Sequence, residues 1–518
     1  MSDHHRIQGG GLELDFTRMR LPNNFVKRYA RSFRTARTAM NKLEAGERVN
    51  TDEDRQVGHY WLRDPSIAPF PEKRRIRNSL KHMHAFADRI ASGKLTGAKG
   101  PFRQYLLIGI GGSALGPQML HEAFRVPGKT PALHFFDNTD PDGMHRTLAE
   151  IRRTGGLGRT LTIVVSKSGG TKETRNGMLV AEQAYADAGL RFAEHATAVT
   201  EQNSLLDRTA AGQLASSGKP WLERFAMWDW VGGRTSLFSA VGLLPAILTG
   251  VNIDALLTGA RDMDRVTRRD DPLENPALCL AGVWHDNVSR RKLRNLVVLP
   301  YRDRLGLLSK YLQQLVMESI GKQGEGITVF GNKGTTDQHS YIQQLCQGRR
   351  DFTALFVRSL KCDDSPAARL AVEPDVTCGD YLAAFAEGTA DALTQAGRLS
   401  MRITIDRVDE TSVGALVALF ERTVGYYATM IGINAYHQPG VQAGKHAADD
   451  YLELQKQLVN YLMDKPLKPF TAADAAAKIG RSKDRRLIDD MLGRLAANQR
   501  FGLSAHSTIP DRERNYSV

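Results

Sequence analysis

The sequence predicts an α/β protein with two doubly wound parallel sheets in succession, a helical N-terminal segment and a small C-terminal α(+β) extension. Three observations carry that expectation. Short apolar or β-branched runs recur with room for a helix between them, the spacing of right-handed βαβ units. Several of these runs end in glycines and small hydroxyl residues, as buried strands do when the chain turns sharply into a helix. The pattern then restarts after Asp271, so a second α/β block follows the first and a ligand site is expected in the cleft between the two blocks.

Residues 1–100 are polar, and runs such as Arg74–Arg89 carry apolar residues at helical spacing, so this segment is expected to be mostly helical. The first α/β domain, 101–270, opens with the strand Tyr105–Ile110, then Gly111-Gly112-Ser113 and a helical stretch broken early by Pro117. Ala132–Phe136, Leu161–Val165 and Ala196–Thr200 are its further strands. In the second domain, 271–464, Asn295–Leu299 is a strand and Leu305–Ile320 a helix with Leu305, Leu308, Leu312 and Leu315 along one face. Ile327–Phe330, Asp351–Arg358 and Arg402–Asp406 follow as strands, and a long helix from Thr411 to about Ile431 leads to the loop Tyr436–Gly444 and a last helix ending near Asp464. The extension, 465–518, begins with the linker Lys465-Pro-Leu-Lys-Pro469. Thr471 then caps an Ala-rich helix closed by Gly480, Lys483–Gln499 makes another helix, and Phe501–Ser504 reads as a strand.

Composition narrows the function classes. At 518 residues, 42% hydrophobic and 25% charged, the chain is too long for one core and has the make-up of an ordinary soluble globular protein. The start, Met-Ser-Asp-His-His-Arg-Ile-Gln-Gly-Gly, has no apolar h-region, and no apolar run approaches a membrane span, so a cytoplasmic protein is expected. Cys279, Cys346, Cys362 and Cys378 are scattered without a Cys-x-x-Cys pair, which argues against a metal site or a disulfide framework. The net charge of +13 suits a field that attracts small anionic substrates; nucleic acid is not expected, because the basic clusters lack interleaved aromatics. The extension holds 11 Lys+Arg against 6 Asp+Glu, which admits a winged-helix-like module on nucleic acid. Asp489 and Asp490 on its would-be recognition helix favour a packing or dimer-contact appendage instead.

Five stretches carry polar residues that a fold alone does not demand. In Leu161-Thr-Ile-Val-Val-Ser-Lys-Ser-Gly-Gly-Thr-Lys-Glu-Thr174 a strand runs into a dense set of small donors at a helix start. Unpartnered backbone N–H groups and a positive helix end make such a junction a phosphate cradle, though a plain Gly-rich turn has the same look; no P-loop spacing is present. Gly109-Ile-Gly-Gly-Ser113 lies at the same edge of the sheet but lacks the third glycine of a dinucleotide fingerprint. Arg234 follows a Gly-Gly turn at the start of an apolar helix, an unfavourable place for a cation unless an anion joins it. Glu318, four residues after Gln314, shares its helix face, and partial desolvation behind Leu315-Val316-Met317 would suit it to take a proton. His339 is a single histidine at a loop–helix start, and Lys445 closes the Gly-punctuated loop that begins at His437-Gln438, at a helix start where, like Arg234, it is misplaced against the dipole unless an anion or a catalytic role explains it.

Taken together and in order, from about Leu107 to Lys445, these clusters resemble the glucose-6-phosphate isomerase (phosphoglucose isomerase) family. The resemblance rests on Gly109–Pro117, Ser166–Thr174, Trp228–Ser236, Met317–Lys322, Gln338-His339 and Gly440–Lys445. It implies two sugar-isomerase (SIS-type) α/β/α sandwich domains, a homodimer and no metal or cofactor. It further implies that Ser166, Lys167, Ser168, Thr171 and Thr174 bind the substrate phosphate, with Gln438 touching that end. Gly112, Ser113 and Gln314 would hold sugar hydroxyls or water; Glu318 would move the proton between C2 and C1, and Arg234 would stabilise the enediolate. His339, from the partner subunit, and Lys445 would serve ring opening. Thr235, Tyr436-His437, Pro439 and Gln442 depart from the commoner residues of these motifs. A glucose/mannose 6-phosphate isomerase and a non-catalytic sugar-phosphate sensor are the alternatives; the set Glu318, His339, Arg234 and Lys445 argues against the sensor.

Overall fold

A strand that is apolar on both faces must be covered twice, and the computed structural model, which describes residues 6–214, 218–464, 469–506 and 514–517, contains two sheets built on such strands. The strands of these sheets and a short hairpin are, in chain order, β1 (Arg6–Gly9), β2 (Leu12–Asp15), β3 (Gln104–Ile108), β4 (Ala132–Phe136), β5 (Thr160–Val165), β6 (Ala196–Glu201), β7 (Glu223–Met227), β8 (Asn295–Pro300), β9 (Thr328–Phe330), β10 (Phe352–Ser359), β11 (Ala371–Glu373), β12 (Val376–Thr377) and β13 (Leu399–Ile405). The first sheet has the order β4-β3-β5-β6-β7 and every pairing is parallel. Every residue of β3 and of β5 is buried, which is why their runs read as continuously apolar rather than alternating. The second sheet has the order β1-β2-β13-β10-β8-β9; β13, β10, β8 and β9 run parallel.

Two local expectations need correction, and one strand goes unread in the sequence. The N-terminal segment is not helical from the start: β1 and β2 form a hairpin, and β2 pairs antiparallel with β13, closing that edge of the second sheet. Four-residue strands are too short for a periodicity window to detect, and it is the open edge of β13 that recruits them. The fifth strand of the first sheet, β7, has the sequence Glu-Arg-Phe-Ala-Met; only Phe225 and Met227 point into the core, so its pattern is weak. The expected helix Leu305–Ile320 is broken into a 3-10 turn Asp303–Leu305, a helix Leu308–Leu312 and a π-helical turn Gln313–Glu318.

By its contacts the chain resolves into two units, Met1–His437 and Gln438–Val518. The first holds both large sheets. Its central helix, Glu410–Met430, is buried from Ser412 to Ala428, the behaviour of a helix that is covered on all sides. The second unit comprises the helix Gly440–Met463, β14 (Phe470–Thr471), the helices Ala472–Lys478 and Arg485–Ala497, β15 (Ser504–His506) and β16 (Asn515–Ser517). It has its own core of Leu454, Leu458, Leu462, Phe470, Ile488, Leu492 and Tyr516. Its elements follow the order helix, strand, helix, helix, strand, strand. Thr471 forms a full capping box with Asp474. Asp489 accepts the Tyr516 hydroxyl at 2.6 Å, so it serves the module's interior, whereas Asp490 is exposed. Of the expected linker, residues 465–468 lie outside the described residues.

A buried ionic network fastens the N-terminal segment to this core. Arg63 lies 3.0 Å from Asp264 and 3.0 Å from Glu421, and Arg422 lies 2.7 Å from Glu44 and 3.1 Å from Asp264; Arg268 also meets Glu44, at 2.9 Å. Three guanidinium groups thus face three carboxylates, which offsets the cost of removing charges from water. Burial works to raise the Glu44 pKa, but Arg422 and then Arg268 outweigh it and hold the carboxyl at about 2, against an ordinary 4.5. The native state therefore binds fewer protons than the unfolded chain over that interval. The contribution, about 3 kcal/mol, is present above the ordinary value and is lost as pH falls through the folded one. Glu44→Gln is expected to lower the urea midpoint at neutral pH and to flatten its decline in acid. A decline as steep as in the unmodified chain would remove Glu44 from this account.

Candidate active site

The loop after β5 leads straight into the helix Lys172–Asp187 at the carboxyl edge of the first sheet. Ser166 Oγ accepts the N–H of Gly169 and Ser168 Oγ that of Gly170, both at 3.1 Å, and Thr200 Oγ1 donates to the Ser166 carbonyl at 2.7 Å. Gly169 has φ +75°, and a Cβ there would stand 2.3 Å from the Leu206 nitrogen, so only glycine fits. Thr171 occupies the N-cap, but no side chain caps this helix among the described residues. The first-turn N–H groups and the positive helix end are therefore offered to an anion, with Thr174 buried in that same turn. Lys167 is used differently: its ammonium donates to the carbonyls of Asp229 at 2.9 Å and Val231 at 3.2 Å. That bond ties the anion loop to the segment carrying Arg234.

Arg234 lies in a 3-10 turn, Gly233–Thr235, and not at the start of the apolar helix, which begins at Ala240 behind its Ser239 cap. The helix-dipole argument for it therefore falls, and direct partners take its place. Its Nε donates to Ser319 Oγ at 2.7 Å, its Nη1 lies 3.3 Å from Glu318 Oε1, and its Nη2 donates to the carbonyls of Ala435 and, at 3.2 Å, His437. Burial draws the Arg234 pKa below its ordinary value, and the Glu318 carboxylate opposes that shift. Arg234 is only 6% exposed, and its guanidinium stays a cation because arginine holds its proton so firmly.

Glu318 closes the π-helical turn, whose widened backbone carries Leu315 and Val316 inward. Gln314 Nε2 donates to Glu318 Oε2 at 2.8 Å, so one carboxylate oxygen meets an amide and the other a guanidinium. The carboxylate is partly exposed, open to a ligand, and is braced by polar groups rather than by the apolar pocket its neighbours suggested. Gly112 opens the helix Gly112–Phe124 with Ser113 behind it; a Cβ on Gly112 would lie 2.1 Å from the Gly233 carbonyl oxygen. Gly111, at φ +58°, lets the backbone pass the Gln314 amide, which is 3.2 Å from where its Cβ would be. The anion loop, Gly111–Ser113, the Arg234 turn and the π turn are thus one continuous set of contacts.

His339 stands apart from that set. It ends the 3-10 turn Thr336–His339 and is exposed, while its neighbours are anchored. Asp337, buried, accepts the Asn332 N–H at 2.9 Å and the Tyr341 hydroxyl, and Gln338 donates to the Phe385 carbonyl at 3.2 Å and to Thr389. Gln438 opens the second unit. Lys445 lies inside the helix Gly440–Met463, beyond its first turn, so it is not a lysine at a helix start as the loop reading had it.

Sequence reasoning missed one part of this region. Lys322 Nζ donates to the Asn434 carbonyl at 2.5 Å, and burial, then the Arg234 charge, lower its pKa to about 8. A glycine followed by lysine after an apolar helix reads as an ordinary C-terminal cation, so no local signal singles it out.

Among the described residues no helix is long and apolar enough to cross a membrane, and no group of three or more His, Cys, Asp or Glu could hold a metal ion. The phosphoglucose isomerase family matches the chain over residues 15–462. Glucose-6-phosphate isomerase of Geobacter sulfurreducens is 49% identical, covering 98% of this chain and 96% of that protein. The chloroplastic glucose-6-phosphate isomerase 1 of Arabidopsis thaliana is 46% identical over 95% of this chain and 81% of its own length. The crystal structure of a glucose-6-phosphate isomerase from Chlamydia trachomatis superposes with a TM-score of 0.74 at 25% identity, over 87% of this chain and 90% of that one.

Proposed function

The chain belongs to the phosphoglucose isomerase family, and from that membership we propose that the cluster around Arg234 and Glu318 isomerises glucose 6-phosphate to fructose 6-phosphate, reversibly, through a cis-enediol(ate). The observation that carries this reading is the partly exposed Glu318 carboxylate flanked by Gln314 and a buried guanidinium. An aldose–ketose interconversion moves a proton between adjacent carbons on one face of a planar intermediate, so a single base serves both directions. Glu318 takes the C2 proton and returns it to C1. Negative charge then develops on the enediolate oxygens, and Arg234 meets it from a site already organised by Ser319 and two backbone carbonyls. The uncapped helix behind Ser166, Ser168, Thr171 and Thr174 holds the remote phosphate, whose binding energy positions the reacting carbons. Gly112, Ser113 and Gln314 receive hydroxyls.

The exposed His339, directly after the hydrogen-bonded Asp337 and Gln338, suits a group presented to a second copy of the chain, so we read the active form as a homodimer with His339 in the partner's site. The motif resemblance supports ring opening by His339 and Lys445, and a phosphate contact by Gln438. Scattered cysteines support a cytoplasmic location. The test is product formation by the purified chain from glucose 6-phosphate and mannose 6-phosphate in parallel. Turnover of glucose 6-phosphate that survives exhaustive chelation is expected. No turnover would sink the reading, metal-restored turnover would overturn the cofactor-free mechanism, and matched rates on both sugars would broaden the substrate class.

A further inference from the structure

Two cations converge on one backbone segment beside the reacting groups. Lys322 Nζ donates to the Asn434 carbonyl at 2.5 Å and lies 3.5 Å from His437 Nδ1, while Arg234 Nη2 donates to the carbonyls of Ala435 and His437. The segment 434–437 is braced from its other side. Asn434 Nδ2 donates to Asn50 Oδ1 at 2.9 Å and to Asp52 Oδ2 at 2.5 Å, its Oδ1 accepts the Tyr436 N–H at 2.9 Å, and His437 Nε2 lies 3.7 Å from Asp52. Arg234 is therefore gripped between this segment and the π turn, where Ser319 and Glu318 occupy its other edges. Lys322, just beyond the π turn, spans the same gap with a single side chain.

We propose that Lys322 is a positioning residue for the proton transfer, holding segment 434–437 against the π turn so that Arg234 stays beside Glu318. The proposal rests on the roles assigned above to Glu318 and Arg234. An ordinary surface lysine keeps its ammonium in water. Here the half-buried ammonium is surrounded by Arg234, Asp52, Glu318, Glu53 and His437, and it ends on a carbonyl. Its depressed pKa, about 8, means that it is a cation at neutral pH and gives up its proton as pH rises past that value. Deprotonation weakens the bond to Asn434 and removes an attraction to Glu318 and Asp52.

The test compares Lys322→Gln and Lys322→Arg in the full chain, with steady-state rates on fructose 6-phosphate across the alkaline range. A shift of Arg234 by about 1 Å is enough to cost up to about 100-fold, so kcat is expected to fall about 10- to 100-fold in Lys322→Gln. KM is expected to move by less than about threefold, because the phosphate is held elsewhere. Lys322→Arg should recover most of kcat and lose the fall in kcat centred near pH 8. An unchanged kcat in Lys322→Gln overturns the proposal, as does a pH profile of Lys322→Arg that keeps the same fall. Should Lys322→Gln not fold, the arginine variant's profile decides alone. Failure of the unmodified chain to isomerise would instead count against the proposed function.

Discussion

Glu318→Gln is expected to bind fructose 6-phosphate nearly as well as the unmodified chain and to lose isomerisation by about 10²- to 10⁴-fold. The substitution keeps the volume of the side chain and one acceptor for Arg234 while removing the carboxylate beside Gln314 that is proposed to accept the carbon-bound proton. Because the proposed phosphate contacts are made by the Ser166–Thr174 loop and not by Glu318, ground-state binding should survive, and the loss should fall on kcat. Binding is measured by displacement of a fluorescent phosphate ester, and turnover by product formation. Unaltered turnover would dismiss Glu318 as the base. The same variant tests the dimer: mixing Glu318→Gln with His339→Ala subunits should restore activity, since one site of the hybrid keeps both groups. Two inactive parents that stay inactive when mixed under exchange conditions would place His339 in its own subunit's site; an active His339→Ala parent would place it in none.

Arg234→Lys is expected to lower kcat by about 10²- to 10³-fold although the charge is retained. A guanidinium presents donors in a rigid plane; that plane is what lets Arg234 reach Ser319, Glu318, Ala435 and His437 at once. An ammonium is a point charge on a shorter reach and can satisfy only part of that set. The buried carbonyl left without a donor also lowers stability, by about 1–3 kcal/mol, so thermal denaturation is measured alongside the rates. Retention of kcat within a few-fold in Arg234→Lys would show that positive charge alone suffices and that the fork geometry is irrelevant to the enediolate.

Much of the site was visible residue by residue, and the reasons differ. The architecture of the Ser166–Thr174 loop was legible because it is local: a buried strand, glycines where the backbone must bend, hydroxyls that fold onto neighbouring N–H groups, and a helix start all lie within Leu161–Thr174. The Gln314–Glu318 pair was legible for the same reason, although the turn that carries it is a π turn and not regular α-helix. The arguments from helix starts failed for Arg234 and Lys445, because the actual starts are at Ala240 and Gly440 and small offsets in a helix boundary move a residue from one electrostatic setting to another. Lys322 entered only as the end of the Met317–Lys322 motif, without a role, since a cation after a helix end is common and nothing nearby in the chain announces Asn434 as its partner.

The sequence by itself determined the fold class, four of the five strands of the first sheet, the parallel strands of the second and the family, because hydrophobic period and turn chemistry act over a few residues at a time. The tertiary structure alone decided that Arg234 faces Glu318, that Lys322 and Arg234 close on segment 434–437, that β1 and β2 complete the second sheet, and that Asp489 turns toward Tyr516. Those pairings join residues far apart in the chain. They depend on which loops the two sheets bring to a common edge and on which buried polar groups must find partners there, and no local pattern encodes either.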